Sequence, residues 1–570
     1  MHKPFSIYGT WGAHDELGDR VELSEKLAMR NLDALKRWRD RHGVAYDYFL
    51  IDCWWFDAVR GLQAFRQPQW PRGYEPVLEG IRALGMKPGL WFATNGAAER
   101  LRVPAWKASA STNNWNYSLV DGPYAEALEE SLFHAAEKWH TELFKFDFAG
   151  FSAAAKGSKL SPDETYNASV KVFRGILGRL RAAFPAVKII AHCGYFRGSG
   201  IEDIGVVQSP GADPSWLGTL DALFSGDPHP CDVPCTDLAR NLDLYQDRQV
   251  WKLHRDGFPL DRVEDHGVLV GMTNTSLYRG RHGFKRTHLG QLARGGRRDF
   301  LYGDATLLTD DDVRHIRAAR ALYFDAYEHG LTTGFVGPGE PGVAPWHGYL
   351  TGGGGDGLLY LVNGSTAVQQ VTIPLPGLFE ARVLFQDGRI KPALQVQPDR
   401  LSVELCPEQM VLVGLGSYAE QRCELGCDTD APLPGALTLL PIVFRSTNRG
   451  WVGDLEVGVP KGTRLNVVAQ AFTEGGTGGV ETRPERFGKQ SNRKSASRRP
   501  QAHDVVRISV RSGSKVVKPT AMVPAGPVWS GISWVAKTYA VSGPCRIVVE
   551  RDPETIKRLR VSAYAVTAQA

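Results

Sequence analysis

Residues 142–148 read Glu-Leu-Phe-Lys-Phe-Asp-Phe, and the reading of this stretch decides the fold. Its apolar residues fall on both faces of an extended chain, the pattern of a strand buried on both sides within a parallel sheet. Lys145 and Asp147 are two residues apart, so their side chains point to the same face. A Lys and an Asp inside an apolar run are costly to bury unless they are paired. The stretch therefore marks a strand and a site together.

Helical patterns flank it, Pro123–Trp139 before and Pro162–Phe184 after. The alternation continues both ways. FSIYGTW (5–11), YDYFLIDCWWFD (46–57), MKPGLWFAT (86–94), VKIIAHCGYF (187–196), LDALFSGD (220–227), HGVLVGMTNTS (266–276) and RDFLYGD (298–304) read as further strands. Glu22–His42, Tyr74–Leu84, Cys235–Arg255 and Asp310–Tyr323 read as helices. Eight strands alternating with helices predict a (β/α)₈ TIM barrel over residues 1–330.

Beyond His329 the pattern changes to short strands cut by Gly, Pro and Asp turns. GLLYLVNGS, AVQQVTIPL, ARVLFQD, LSVELCP and MVLVGLG predict a small antiparallel β-sandwich over 331–418. A turn-rich linker fills 419–436. A further C-terminal all-β domain, accessory and sandwich-like, is expected over 437–570, from LTLLPIVFR, DLEVGVP, RLNVVAQAF, DVVRISVR, PCRIVVE and RVSAYAV.

The 570 residues are too many for one core. A 43% hydrophobic and 23% charged composition with net charge +5 gives no reason to expect nucleic acid or membrane as a partner. Basic residues concentrate in Arg483–Arg499, which reads as a solvated loop. The 8 cysteines are too sparse for a disulfide scaffold. Cys231/Cys235 and Cys423/Cys427 share a spacing unlike the usual zinc motif, so no metal is expected. The start of the chain has no apolar signal core, and no stretch reaches the roughly 20 apolar residues of a membrane span. The expectation is a cytoplasmic protein, with secretion of a trimmed form left open.

Barrel active sites sit at the C-terminal ends of the strands. There the sequence offers Asp52, Trp54, Trp55 and Asp57 on the second strand, and Trp91 and Asn95 on the third. Lys145 and Asp147 follow on the fourth, His192 and Cys193 on the fifth, and Ser225 and Asp227 on the sixth. Asn274 and Ser276 end the seventh, and Asp304 the eighth. Carboxylates beside aromatic faces suit a sugar, which stacks its C–H face and donates from its hydroxyls. Glycoside hydrolysis needs two carboxyls, one ionised and one held protonated. An ammonium at Lys145 keeps Asp147 ionised. Position alone also allows a purely structural Lys–Asp pair, a turn aspartate before Pro228, and a helix cap at Asp52. Asp213 rivals Asp227, which is preferred because it ends an apolar strand. No phosphate loop is present; Gly352–Asp356 reads as a turn.

These strand ends resemble the α-galactosidase superfamily, clan D of the glycoside hydrolases, and family 36 in particular. The matching stretches are Asp52-Cys53-Trp54-Trp55, Trp91-Phe92, Lys145-Phe146-Asp147, Cys193-Gly194 and Ser225-Gly226-Asp227. They come in the family's order, over about 420 residues. Cys53 stands where α-galactosidases carry a carboxylate that holds sugar hydroxyls, and Ala93-Thr94-Asn95 replaces acidic residues.

The resemblance implies a retaining α-glycosidase acting on a terminal α-linked, α-galactoside-like sugar by double displacement with two aspartates. Asp147 is the nucleophile and Asp227 the acid/base. Asp52, Trp54, Trp55, Trp91, Lys145, His192, Cys193 and Arg240 surround the substrate. No cofactor is implied. A transglycosidase on the same scaffold and a non-catalytic carbohydrate-binding protein on a degenerate barrel are the alternatives. The expected partner is a carbohydrate; self-association is left open.

Overall fold

The computed structural model describes residues 3–14, 21–96, 98–192, 194–195, 213–226, 229–265, 268–271, 280–421, 425–429, 433–472, 502–525, 528, 531–556 and 558–567. The chain divides into two compact units. The first comprises Met1–Asp227, Gln249–Ser276 and Arg294–Gly330; the second comprises Pro228–Arg248, Leu277–Ala293 and Leu331–Ala570.

The first unit is built on parallel strands β1 (Phe5–Gly9), β2 (Tyr48–Ile51), β3 (Lys87–Ala93), β4 (Leu143–Asp147), β5 (Lys188–Ala191), β6 (Ala222–Phe224), β7 (Val263–Glu264), β8 (Val268–Val270) and β9 (Arg298–Gly303). They pair in the order β8-β9-β1-β2-β3-β4-β5-β6-β7. Residues 265–267 alone separate β7 from β8, so these two share the seventh position and carry the ring round from β6 to β9. The fold class is thus a (β/α)₈ TIM barrel followed by antiparallel β domains. Pairing at the seventh position begins at Val263, ahead of the expected start at His266, because Arg262, Glu264 and Asp265 interrupt the apolar signal there.

The helices start and stop where their ends are satisfied. In α1 (Glu25–His42), Ser24 Oγ accepts from Leu27 N, and Gly43, at φ 68°, donates to Arg39 O. Helix α2 spans Glu75–Ala83 and α3 Tyr124–Lys138. Helix α4 (Pro162–Ala183) opens on a capping box between Ser161 and Glu164, with Pro162 in the first turn. Helix α5 (Leu238–Arg255) crosses the boundary between the units. Helix α6 (Phe284–Ala293), unexpected from the sequence, is buried along its length and so has no polar face to betray it. Helix α7 (Asp310–Glu328) opens on a capping box of Thr309 and Asp312.

On β4 the two faces separate as the spacing predicts. Phe146 meets Phe173 of α4 edge-on at 5.2 Å, while Lys145 and Asp147 point the other way and are buried.

In the second unit, a six-stranded sheet, antiparallel except for its parallel edge pair at Gln386–Cys427, and a three-stranded antiparallel sheet enclose an aliphatic core that includes Leu359, Leu361, Val371, Val403 and Val413. The Gly352–Asp356 segment is the expected tight turn, joining strands Trp346–Gly353 and Asp356–Asn363. The last part forms two five-stranded sheets around Val467, Ile508, Trp534 and Ile547. Its strand Gly450–Leu455 lies before the expected DLEVGVP, which is mostly outside it. The strand Trp534–Tyr539 was not anticipated. No described helix is long and apolar enough to cross a membrane.

Candidate active site

The end of β4 supplies the centre of the site. Lys145 Nζ donates to Asp52 Oδ2 at 2.8 Å. Asp52 is fixed in turn: its N–H donates to Thr10 Oγ1 at 3.0 Å and its Oδ1 accepts from Cys53 N at 2.9 Å. The ammonium also lies 4.6 Å from the centre of the Tyr302 ring and 5.7 Å from that of Trp11, cation–π contacts that cost it no proton. Burial pulls the Lys145 pKa down. The carboxylates of Asp52, Asp147 and Glu264 more than offset it, and the group is held above the usual lysine range. One fixed positive charge therefore serves three carboxylates.

Asp147 is 9% exposed, against 1% for both Asp52 and Lys145. Its Oδ1 accepts from Phe148 N at 2.8 Å and its Oδ2 from Trp91 Nε1 at 3.2 Å. Phe148 sits at φ 48°, in the left-handed region, so the chain turns sharply just after the carboxylate. The Phe148 ring stacks on Trp54 at 5.6 Å, and the Arg100 guanidinium lies 4.7 Å from the centre of the same Trp54 ring. An aromatic wall thus stands beside Asp147.

His192 Nε2 lies 3.0 Å from Glu264 Oε2, both side chains 1% exposed, and its ring stacks on Phe224 at 4.0 Å. Ser225 N donates to Glu264 O at 2.8 Å, which ties the end of β6 to β7. Glu264, Trp11 and Tyr302 are site residues that the sequence reading missed. Trp11 and Tyr302 lie in strands that were recognised, and their aromatic character at a strand end was the available signal. Glu264 had none, since it preceded the expected strand.

The other expected residues have contacts of their own. Trp55 is fully buried: its Nε1 donates to Trp91 O at 2.7 Å and its ring packs on Phe65 and Trp139. It supports the wall from behind. Arg240 belongs to the second unit, where Nε and Nη2 bind Asp387 at 2.8 and 3.1 Å and Nη1 lies 3.9 Å from Glu408. Asp213 caps a short 3₁₀ helix through Ser215 N at 2.9 Å and lies 3.8 Å from Arg174, a turn and surface role. Asp304 likewise caps the turn at Thr306 and pairs with Arg30. Asn95 bridges Tyr117 O, Gly150 O and Gly150 N, bracing the loops after β3 and β4. The Cys53 thiol is 3% exposed and lies 4.0 Å from His14 Nε2. Asp227, Cys193, Asn274, Ser276 and the Arg483–Arg499 run lie outside the described residues. Among the described residues no group of three His, Cys, Asp or Glu side chains is arranged to hold a metal ion.

The chain folds as a parallel (β/α)₈ barrel followed by antiparallel β domains, and solved structures share this fold. It is similar to the α-galactosidase from Lactobacillus brevis, with a TM-score of 0.50 and 14% identity over 73% of this chain and 55% of that one. The GH36 α-galactosidase from Geobacillus stearothermophilus gives 0.48 and 12% over 73% and 56%. An α-amylase from H. orenii gives 0.43 and 11% over 73% and 100%. The chain spans a little more than half the length of these α-galactosidases. No protein-family model and no curated protein matches it.

Proposed function

We propose that the chain is a retaining α-glycosidase that removes a terminal α-linked sugar with Asp147 as nucleophile and Asp227 as acid/base. The observation that carries this reading is the setting of Asp147. It is the most exposed of the acids around Lys145, it accepts two fixed N–H donors, and the ammonium beside it favours its anionic form. A nucleophilic carboxylate needs these conditions.

In the first step an Asp147 oxygen bonds to the anomeric carbon while the bond to the leaving oxygen breaks, and that oxygen takes the proton of Asp227. In the second, Asp227 removes a proton from water, the water oxygen bonds to the anomeric carbon, and Asp147 leaves as carboxylate. Phe148, only partly buried and backed by the Trp54 ring, supplies an apolar face for the sugar ring beside this centre. Cys53 presents a buried thiol where α-galactosidases carry a carboxylate, which favours a glycone other than galactose.

The test is a panel of aryl α-glycosides: galactosides, N-acetylgalactosaminides, arabinopyranosides and glucosides. Turnover of at least one, lost on changing Asp147, supports the reading. Saturable binding across the panel with no turnover favours the non-catalytic carbohydrate-binding alternative instead.

A further inference from the structure

The C-terminal domain carries a cleft of about 550 Å³ that takes no part in the reaction above. Its size falls within the roughly 300–1,000 Å³ of small-ligand sites. It lies where the hairpin of strands Arg445–Thr447 and Gly450–Leu455 meets the strand Cys545–Arg551, and it is lined by Thr447, Asn448, Arg449, Trp451, Val548 and Glu550. We propose that this cleft is a second saccharide site, distinct from the barrel centre, that takes one or two neutral sugar rings. The choice of ligand class rests on the glycosidase reading.

The turn that displays the polar groups is held in place. Thr447 Oγ1 accepts from Gly450 N at 3.1 Å, and Arg551 N donates to Arg449 O at 3.1 Å. A side chain at Gly450 would strike Val549 O at 1.9 Å, so this close approach of the two strands requires glycine. Trp451 packs against the domain core yet keeps part of its indole exposed, and the Arg551 guanidinium lies 5.4 Å over its ring. Arg449 and Glu550 line the same cleft, and among the described residues neither forms an ion pair. The lining thus carries an anion as well as a cation, and Glu550 would repel a phosphate or a polyanion. They suit a polyhydroxyl ligand, whose vicinal hydroxyls both donate and accept, while an aromatic surface takes the C–H face.

The full chain is applied to an array of neutral oligosaccharides of galactose, glucose, mannose, xylose and arabinose, alongside Trp451→Ala and the double variant Arg449→Ala/Glu550→Gln. The proposal predicts binding by the parent and at least a tenfold loss in both variants, with aryl α-glycoside turnover changed less than twofold. The double variant alters side chains outside the core, so it keeps the test valid if Trp451→Ala loosens the domain. No binding by the parent, or equal binding by the double variant, overturns the proposal. Cleft-dependent binding without any turnover would remove the glycosidase reading and leave the cleft standing.

Discussion

Lys145 Nζ and Asp52 Oδ2 lie 2.8 Å apart, with both side chains 2% exposed. Removing one member of such a buried pair leaves an uncompensated charge, at a cost of about 3–5 kcal/mol. Lys145→Met and Asp52→Asn should each destabilise the barrel on that scale, as read by chemical denaturation. The double variant should lose less than the sum, because the residues share one interaction. The ammonium pKa is raised in the folded state, so its contribution is complete below the unfolded value of about 10.4 and is lost as pH rises through the folded one. Buried tyrosines such as Tyr8 and Tyr195 act in the same direction. The alkaline loss should therefore be shallower in Lys145→Met, but not absent.

His14 gives the acid counterpart. Burial lowers its pKa from 6.5 to about 4, against opposing contributions from Asp52 and Thr10 O. The folded state holds it neutral while the unfolded chain protonates near 6.5, so stability present above that pH is lost as pH falls toward 4. The shift corresponds to roughly 3 kcal/mol. Between pH 7 and pH 4, His14→Gln should lose less stability than the parent by an amount of that order. Parallel curves for the two proteins would remove His14 as the cause.

Arg240 should behave as a structural residue. It shares Asp387 with Arg286, whose Nε lies 3.2 Å from the same carboxylate, and Arg286 also binds Asp243 at 3.0 Å. Arg240→Ala should cost about 3–5 kcal/mol while leaving KM for an aryl glycoside within twofold in the folded protein. A large rise in KM with little change in stability would return Arg240 to the substrate.

What the sequence made legible follows from how each element is buried. Strand β4 was clear because Phe144 and Phe146 face one way and Lys145 and Asp147 the other. Helix α6 was not, because a helix buried all round has no amphipathic period. Strand β7 was hidden by Arg262, Glu264 and Asp265, and Glu264 was lost with it. Chain order cannot say which face of a strand end Trp55 occupies. Its burial among Phe65, Phe92 and Trp139 decides that. The partners of Arg240 were out of reach for a related reason: Asp387 and Glu408 lie more than a hundred residues away in the chain.

Asp227→Asn should discriminate between leaving groups. An activated phenolate departs without much protonation, whereas an alkyl or sugar leaving group needs it. Rates on alkyl or disaccharide substrates should fall at least a hundredfold more than rates on a dinitrophenyl glycoside, on the order expected of a general acid. Equal losses on both would point to a different acid.

The central claim is that Asp147 forms the covalent bond to the sugar. The most direct measurement is the product formed by Asp147→Gly with an activated aryl α-glycoside in the presence of azide. Turnover without azide should fall by several orders of magnitude, on the order of the whole covalent pathway. With azide filling the vacated space, the account predicts recovery of rate and release of the β-configured glycosyl azide. Near-parental turnover without azide, or a glycosyl azide of the α configuration, would contradict it.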